Sequence, residues 1–155
     1  MNTNEQFYAD CGQIILISTS IEHELGKYLT AFLLIGKKEK MEEYPENQFA
    51  DMKFDHKINL IEKFCETRKT DIKNKEELIN SLHIIQRARN KVAHWGLAYN
   101  KQEEKFELKH ITNPNKEPFD AIKAREEACQ KWSVALIALM NLHNEIFFPK
   151  DAEKQ

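Results

Sequence analysis

The sequence contains little cysteine, glycine or proline, and this scarcity narrows the possible classes of protein. Its 155 residues include three Cys, four Gly and four Pro. A chain of this length and composition predicts one compact domain over 1–155, and it excludes two domains or a linker-rich protein. Cys11, Cys65 and Cys129 are odd in number and far apart, and each lies in an apolar helical pattern. We therefore expect three buried thiols rather than a disulfide or a zinc site.

A dominant charge and a long apolar run are also missing. With 23 Lys and Arg against 25 Asp and Glu the net charge is -2, so the whole molecule attracts neither nucleic acid nor anionic lipid, and any site for a polyanion must be local. The most apolar stretch, 14–35, is interrupted by Glu22, Glu24 and Lys27, whereas a membrane span needs about 20 apolar residues. The first residues show no basic segment followed by an apolar core, so we expect a cytoplasmic protein without a membrane partner.

Apolar residues at steps of three and four predict four helices. The first runs over 5–35 and is followed by a polar loop over 37–52. A short second helix begins near Phe54, and its stripe continues through Ile58, Ile61 and Cys65. The third opens at Asn74, a predicted N-cap with Glu77 three residues later, and reaches about Trp95.

Alternation replaces the helical period after the third helix. Leu97 and Tyr99, then Phe106 and Leu108, alternate on either side of a polar turn, which predicts a small β-hairpin. Asp120 is the predicted N-cap of a last helix that should stop before Pro149. The apolar stripe of that helix is predicted at Ile122, Cys129, Trp132, Leu136, Leu139 and Ile146. Together these elements predict an all-α fold, an antiparallel four-helix bundle with a small β-hairpin insert after the third helix.

The third helix carries an arginine on its apolar face. Arg89 projects near the middle of the face formed by Leu78, Leu82, Ile85, Val92 and Ala93. Burying an unpaired guanidinium would cost several kcal/mol, so Arg89 must meet a carboxylate or open onto a polar cleft that admits an anion. Glu22 is the candidate partner, and with Ser18 it lies at i, i+4 along the edge of the first helix's stripe.

A second stripe of polar residues runs along the flank of the same helix. It comprises His83, Arg87, Asn90 and His94. No acidic residue occurs between Glu77 and Glu103, whereas that interval also holds Arg89, Lys91 and Lys101. The interval is the one locally positive part of the sequence, and a phosphate is its natural occupant, because Arg offers a fixed fork of donors and His exchanges a proton near neutral pH.

The segment Arg89-Asn90-Lys91-Val92-Ala93-His94 resembles the Arg-polar-x-x-x-His motif of the HEPN superfamily. Members are small helical bundles that carry the motif on their third long helix, and the order of elements over about 5–148 is similar, as is the Trp95-Gly96 pair after the motif. The resemblance implies a metal-independent ribonuclease, often a toxin or an antiviral defence protein, that needs no metal or other cofactor. It also implies a cleft across a homodimer and an antitoxin or regulatory protein as a possible partner.

Other members of the superfamily have lost catalysis, and the resemblance allows that outcome too. Such proteins bind RNA, a nucleotide or a protein partner. One subgroup has a Tyr two residues after the His, and Gly96 at that position argues against membership in it. A third possibility is a purely structural bundle in which Arg89 only balances Glu22.

The enzyme hypothesis gives each residue of the motif a role. His94 would act as general base on the ribose 2′-hydroxyl or as general acid on the leaving 5′-oxygen, since an imidazole pKa of about 6.5 suits both. Arg89 would hold the phosphate, and Asn90 would orient the imidazole or donate to the phosphate. Glu22 and Ser18 would support Arg89. Further substrate contacts are expected from Arg87 and Lys91, and from Trp95, which would otherwise be a core aromatic.

The spacing of the motif poses a geometric problem. Arg89 and His94 are five residues apart, so their Cβ vectors diverge by about 140° on a helix. Only the long Arg side chain can bring both groups to one phosphate. Two motif helices packed about a two-fold axis would ease the problem, because the Arg of one chain can then lie near the His of the other.

Overall fold

The computed structural model describes residues 3–35, 48–67, 75–113 and 115–148, and four helices and one hairpin lie within these ranges. The elements are α1 (Thr3–Leu33), α2 (Phe54–Thr67), α3 (Lys75–His94), β1 (Gly96–Asn100), β2 (Lys105–Lys109) and α4 (Ala121–Phe147). The prediction of an all-helical fold with a hairpin after the third helix is confirmed. The predicted cap at Asn74 and most of the predicted loop over 37–52 lie outside the described residues.

The hairpin and the start of α4 form as their polar residues predict. β1 and β2 pair antiparallel, with Leu97 opposite Leu108. The backbone N–H of Phe119 donates to the Leu108 carbonyl at 3.1 Å, which joins the segment before α4 to the hairpin. The Asp120 side chain accepts from the backbone N–H of Lys123 at 3.0 Å, so the predicted N-cap is confirmed.

Two buried clusters show in which direction each helix runs. The larger cluster contains buried apolar residues from 21–32 of α1, 78–85 of α3 and 135–142 of α4. It also contains all the buried apolar residues of α2. The smaller cluster contains Ile14, Ala88, Leu108, Phe119 and Ala121. From the smaller cluster to the larger, residue numbers rise along α1 and α4 and fall along α3. Helices α1 and α4 therefore run parallel, and α3 runs opposite to both.

Ring and ion-pair contacts support the same directions. Asp10 pairs with Arg125 at 3.2 Å, and 18 residues further along each helix the rings of Tyr28 and His143 lie 5.8 Å apart. Helix α2 also runs parallel to α1, because Lys57 near its start pairs with Glu22, while Phe64 near its end stacks on Phe32. The predicted antiparallel arrangement is thus wrong for α1 against α2 and α4. Twenty residues, 34–53, separate the end of α1 from the start of α2, and α2 begins beside the middle of α1, where Lys57 pairs with Glu22.

The buried stripe of α4 lies beside the predicted one. Its members are Ala121, Ala128, Ala135, Ala138, Leu139 and Leu142, whereas Ile122 and Cys129 are exposed. Of the predicted stripe, Leu139 is fully buried and Trp132, Leu136 and Ile146 are partly buried. The prediction of three buried thiols is therefore wrong for Cys129 and holds for Cys65, while Cys11 is half-buried.

Helix α3 is likewise rotated relative to its predicted core face. Ser81 and Ala88 are buried together with the predicted Leu78, Leu82 and Ile85, whereas Ala93 is exposed. Helices α1 and α4 contact α3 more extensively than α2 does, so burial follows the side that faces them. Arg89 consequently lies at the edge of the buried face and is only partly buried. Within the part of the chain that the structure describes, no helix has the length and apolar character needed to cross a membrane.

Candidate functional site

An open cleft of about 480 Å³ lies between the C-terminal half of α3, the middle of α1 and the start of α2. Arg89, Asn90 and His94 line it from α3, and Glu22 lines it from α1. The remaining wall is formed by the turn over 50–53 and the first residues of α2. We call this cavity the Arg89 cleft.

The three motif residues reach this cleft in different ways. Arg89 is partly buried, and its Nη1 donates to Asn90 Oδ1 at 3.2 Å, which holds the guanidinium along the wall. His94, the last residue of α3, is exposed at the end of the cleft. Although their Cβ vectors diverge, Arg89 and His94 border the same cavity, because the cleft is wide and the Arg side chain is long.

Arg89 forms no ion pair with any carboxylate in the described ranges, although Glu22 borders the same cleft. Glu22 is instead paired with Lys57 of α2, with 3.4 Å between Lys57 Nζ and Glu22 Oε1. The Lys57 side chain is 2% exposed and also donates to the backbone carbonyl of Ala50 at 3.5 Å. Because a buried ammonium needs a compensating charge, Lys57 holds Glu22 and leaves the guanidinium available to a ligand.

Sequence reasoning missed Gln86, Asp51, Lys53 and Asp55 on the wall of the cleft. It also missed Lys57, which pairs with Glu22 behind that wall. Lys57 lies on the apolar stripe of α2 together with Phe54, Ile58 and Ile61, and all four side chains are buried. This is the same signal that singled out Arg89 on α3, a cation on the apolar face of an amphipathic helix. A search for every such cation would have found both residues.

The charge around the Arg89 cleft is mixed rather than positive. Asp51 and Asp55 line it together with Glu22, and Lys53 is the second cation on its wall beside Arg89. The interval without acidic residues therefore does not produce a positive surface here, because carboxylates from the preceding turn and from α2 fold against it. Charge along a sequence predicts local potential only when no other element packs on that segment.

The other predicted site residues do not line the Arg89 cleft. Ser18 is buried, and Arg87 is exposed on α3 outside the cleft. Lys91 Nζ lies 5.3 Å from the centroid of the Trp95 ring and 5.6 Å from that of Phe119, a cation–π arrangement on another face of the molecule. Trp95 packs against the smaller buried cluster. Its placement matches the interpretation of a core aromatic rather than a free stacking platform.

The donor atoms of the described chain define no metal centre. No group of three or more His, Cys, Asp or Glu side chains in 3–35, 48–67, 75–113 and 115–148 is arranged to hold a metal ion. The cleft therefore offers a guanidinium, an ammonium, an imidazole, two amides and carboxylates as its chemical groups. The chain matches no family model, no curated protein and no solved structure.

Proposed function

We propose that this protein is a HEPN-like, metal-independent ribonuclease that cleaves single-stranded RNA at the Arg89 cleft. The observation that carries the proposal is that Arg89, Asn90 and His94 border one open cavity while the guanidinium makes no ion pair with a described carboxylate. A cation with free donor positions and an exposed imidazole on the wall of one cleft are suited to a phosphodiester. The resemblance of the motif to that of HEPN ribonucleases supports the same reaction.

The reaction is an internal transesterification. The His94 imidazole takes the proton of the ribose 2′-hydroxyl as its oxygen attacks phosphorus, and the bond from phosphorus to the 5′-oxygen breaks. The leaving oxygen takes a proton from a general acid, and the product carries a 2′,3′-cyclic phosphate. Arg89 donates to the non-bridging oxygens, where charge grows in the transition state, and a preorganised donor of this kind is worth about 3 to 4 kcal/mol.

A homodimer supplies the second proton-transfer group in this scheme. Among the described residues of one chain, one His lines the Arg89 cleft, whereas the reaction uses both a general base and a general acid. Two copies related by a two-fold axis would bring a second imidazole and a second guanidinium to the same substrate. An antitoxin or regulatory protein would then act by covering this shared cleft.

A non-catalytic binding module is the second candidate, and the mixed charge of the cleft favours it. Glu22, Asp51 and Asp55 repel a polyanion, whereas a ligand carrying both signs of charge meets partners on both walls. Such a ligand is a nucleotide with a protonated or donor-rich base, or a polar segment of a partner protein.

Cleavage of a mixed single-stranded RNA in EDTA tests the proposal. We expect wild-type protein to produce fragments with 2′,3′-cyclic phosphate ends and His94→Ala to produce none. His110→Ala is the matched control, because His110 follows β2 and lies outside the cleft, and it should cleave as wild type does. Circular dichroism and light scattering would verify that all three proteins share fold and oligomeric state.

The opposite results separate the two candidates. Equal cleavage by wild type and His94→Ala would assign the activity to a contaminant or another site. Absence of cleavage by folded wild-type protein, together with RNA or nucleotide binding that Arg89→Ala weakens, would establish the binding module.

A further inference from the structure

A second cleft, of about 510 Å³, lies on a different part of the molecule. It is bounded by the N-terminal turns of α1, by β2 and the turn before it, and by the segment that leads into α4. Asp10 lines it from α1, and none of its lining residues belongs to the Arg89 cleft. We call it the Asp10 cleft.

Asp10 is fully buried, and half of its carboxylate lacks a partner. Arg125 Nη1 lies 3.2 Å from Oδ1, and Gln6 Nε2 donates to the same oxygen at 3.0 Å. The other oxygen, Oδ2, is buried without a hydrogen-bond partner among the described residues. A buried carboxylate oxygen left in this state costs free energy until a donor reaches it. Asp10 borders the cleft, but Oδ2 itself is closed to solvent, so a ligand with an N–H group supplies that donor only when the side chains that cover Oδ2 move aside.

Carboxylates outnumber cations around the Asp10 cleft. Glu103, Glu107 and Asp120 line it together with Asp10. The cations that face these four carboxylates are Lys105, Lys109 and Arg125. Hydrogen bonding from Asn100, followed by the nearby lysines, holds the pKa of Glu107 below its ordinary value, so its carboxylate is charged at neutral pH. The excess is one negative charge, that of the exposed Asp120 that caps α4, and it favours a cationic occupant over an anionic one.

The rest of the lining is apolar. Phe7, Phe106 and Phe119 contribute aromatic rings, and Pro118 and Ile122 extend the surface. A volume of this size is typical of sites for small organic molecules. A bare metal ion does not fit the lining, because the carboxylates of the described residues do not converge as a ligand set.

We propose that the Asp10 cleft binds a small organic cation with an apolar body, such as an aromatic amine. Its ammonium group displaces the side chains that cover Asp10 Oδ2 and donates to that oxygen, and its ring packs against Phe7 and Phe119. This site is separate from the Arg89 cleft and does not depend on the ribonuclease activity.

Titration of the full-length protein with phenethylammonium, followed by amide chemical shifts in NMR, tests the proposal. We expect saturable shifts at the amides of Asp10, Glu107 and Ile122. The matched neutral probe is 2-phenylethanol, which has a similar shape without the charge. Since a hydrogen bond to a charged group is worth about 1.5 to 3 kcal/mol, the alcohol should bind about ten-fold or more weakly.

Two variants locate the site. Asp10→Asn replaces one of the two carboxylate oxygens by an amide nitrogen, which donates hydrogen bonds and so cannot accept one from the ammonium. It should weaken phenethylammonium binding about ten-fold. Ile122→Lys places a cation at a half-exposed position of the lining and should also weaken binding without disturbing the core. Glu76→Gln, on the exposed start of α3, should bind the amine as wild type does.

The proposal is overturned by any of three results. These are equal affinity for the amine and the alcohol, shifts confined to residues outside the cleft, and unchanged binding in Ile122→Lys. If Asp10→Asn fails to fold, Ile122→Lys and the pair of probes still decide the matter.

Discussion

Two cations on apolar helix faces, Arg89 and Lys57, have different fates in the structure. Lys57 is buried and paired with Glu22, whereas Arg89 stays partly buried at the wall of a cleft. The hypothesis that Arg89 exists to balance Glu22 predicts a buried pair that the structure does not contain. The stability of the protein should therefore depend on Lys57 much more than on Arg89.

Replacing Arg89 by Ala should hardly change stability. The guanidinium has one hydrogen bond, to Asn90, and no carboxylate partner among the residues described, so we expect a loss of about 1 kcal/mol or less in the free energy of unfolding. Arg87→Ala, an exposed control on the same helix, should behave similarly. Urea denaturation of both variants measures the effect. A loss of about 3 to 5 kcal/mol for Arg89→Ala alone would restore the hypothesis of a buried structural pair.

Helices α1 and α2 are joined by the Lys57–Glu22 ion pair as well as by apolar packing. The pair lies beside the turn at Ala50, whose carbonyl takes a further bond from Lys57. Removing one partner of a buried pair leaves the other charge without compensation, which costs more than the pair contributes.

Replacing Lys57 by Met should destabilise the protein by about 3 kcal/mol, because Glu22 then loses its counter-charge while most of its side chain remains covered. Adding Glu22→Gln to this variant should recover a large part of the loss, since no charge is then left alone. Chemical denaturation of the two single variants and the double variant forms the double-mutant cycle. Strictly additive losses would show that the two side chains do not interact.

The hairpin should contribute a stability that depends on pH through Glu107. Its folded pKa is lowered, first by the hydrogen bond from Asn100, so the unfolded chain takes up the proton at higher pH. The stabilisation is complete above the ordinary Glu pKa of about 4.3 and is lost as pH falls through the lower folded value. Glu107→Gln should therefore melt below wild type at pH 7, with a gap that narrows toward pH 3.

Thermal melts at several pH values measure this gap. Glu104→Gln, in the exposed turn of the same hairpin, serves as the control and should show a small gap at every pH. A gap for Glu107→Gln that stays constant from pH 7 to pH 3 would contradict the assignment of its pKa.

The distribution of charge over the whole molecule bears on how RNA would reach the Arg89 cleft. With a net charge of -2 the protein has no long-range attraction for a polyanion, and Asp51 and Asp55 add repulsion at the cleft itself. Both side chains are exposed, so salt screens their effect.

Removing these two carboxylates should increase RNA cleavage or RNA binding. We expect Asp51→Asn/Asp55→Asn to raise kcat/KM, or the affinity if the protein only binds, several-fold at low salt and less at high salt. The measurement is a comparison with wild type at two ionic strengths. Glu76→Gln/Glu77→Gln makes the same change in net charge away from the cleft and should have a smaller effect. An equal effect of the two double variants would mean that RNA does not approach Asp51 and Asp55.

The pattern of residues along the chain was sufficient to predict the elements. The helical stripes, the alternation of Leu97 and Tyr99 with Phe106 and Leu108, and the Asp120 cap all reflect local preferences that act within a few residues. For the same reason the motif on α3 placed Arg89, Asn90 and His94 within two turns of each other.

Contacts between distant residues decided the rest. The parallel course of α1 and α4 depends on which faces pack, and the face of α4 that carries its buried alanines leaves Cys129 exposed. Lys57 meets Glu22, and Asp51 and Asp55 meet the motif helix, because α2 begins beside the middle of α1. Local periodicity determines which side of a helix is apolar. The partner of each polar group is instead a residue far away in the sequence, because burying one charge without its partner costs free energy.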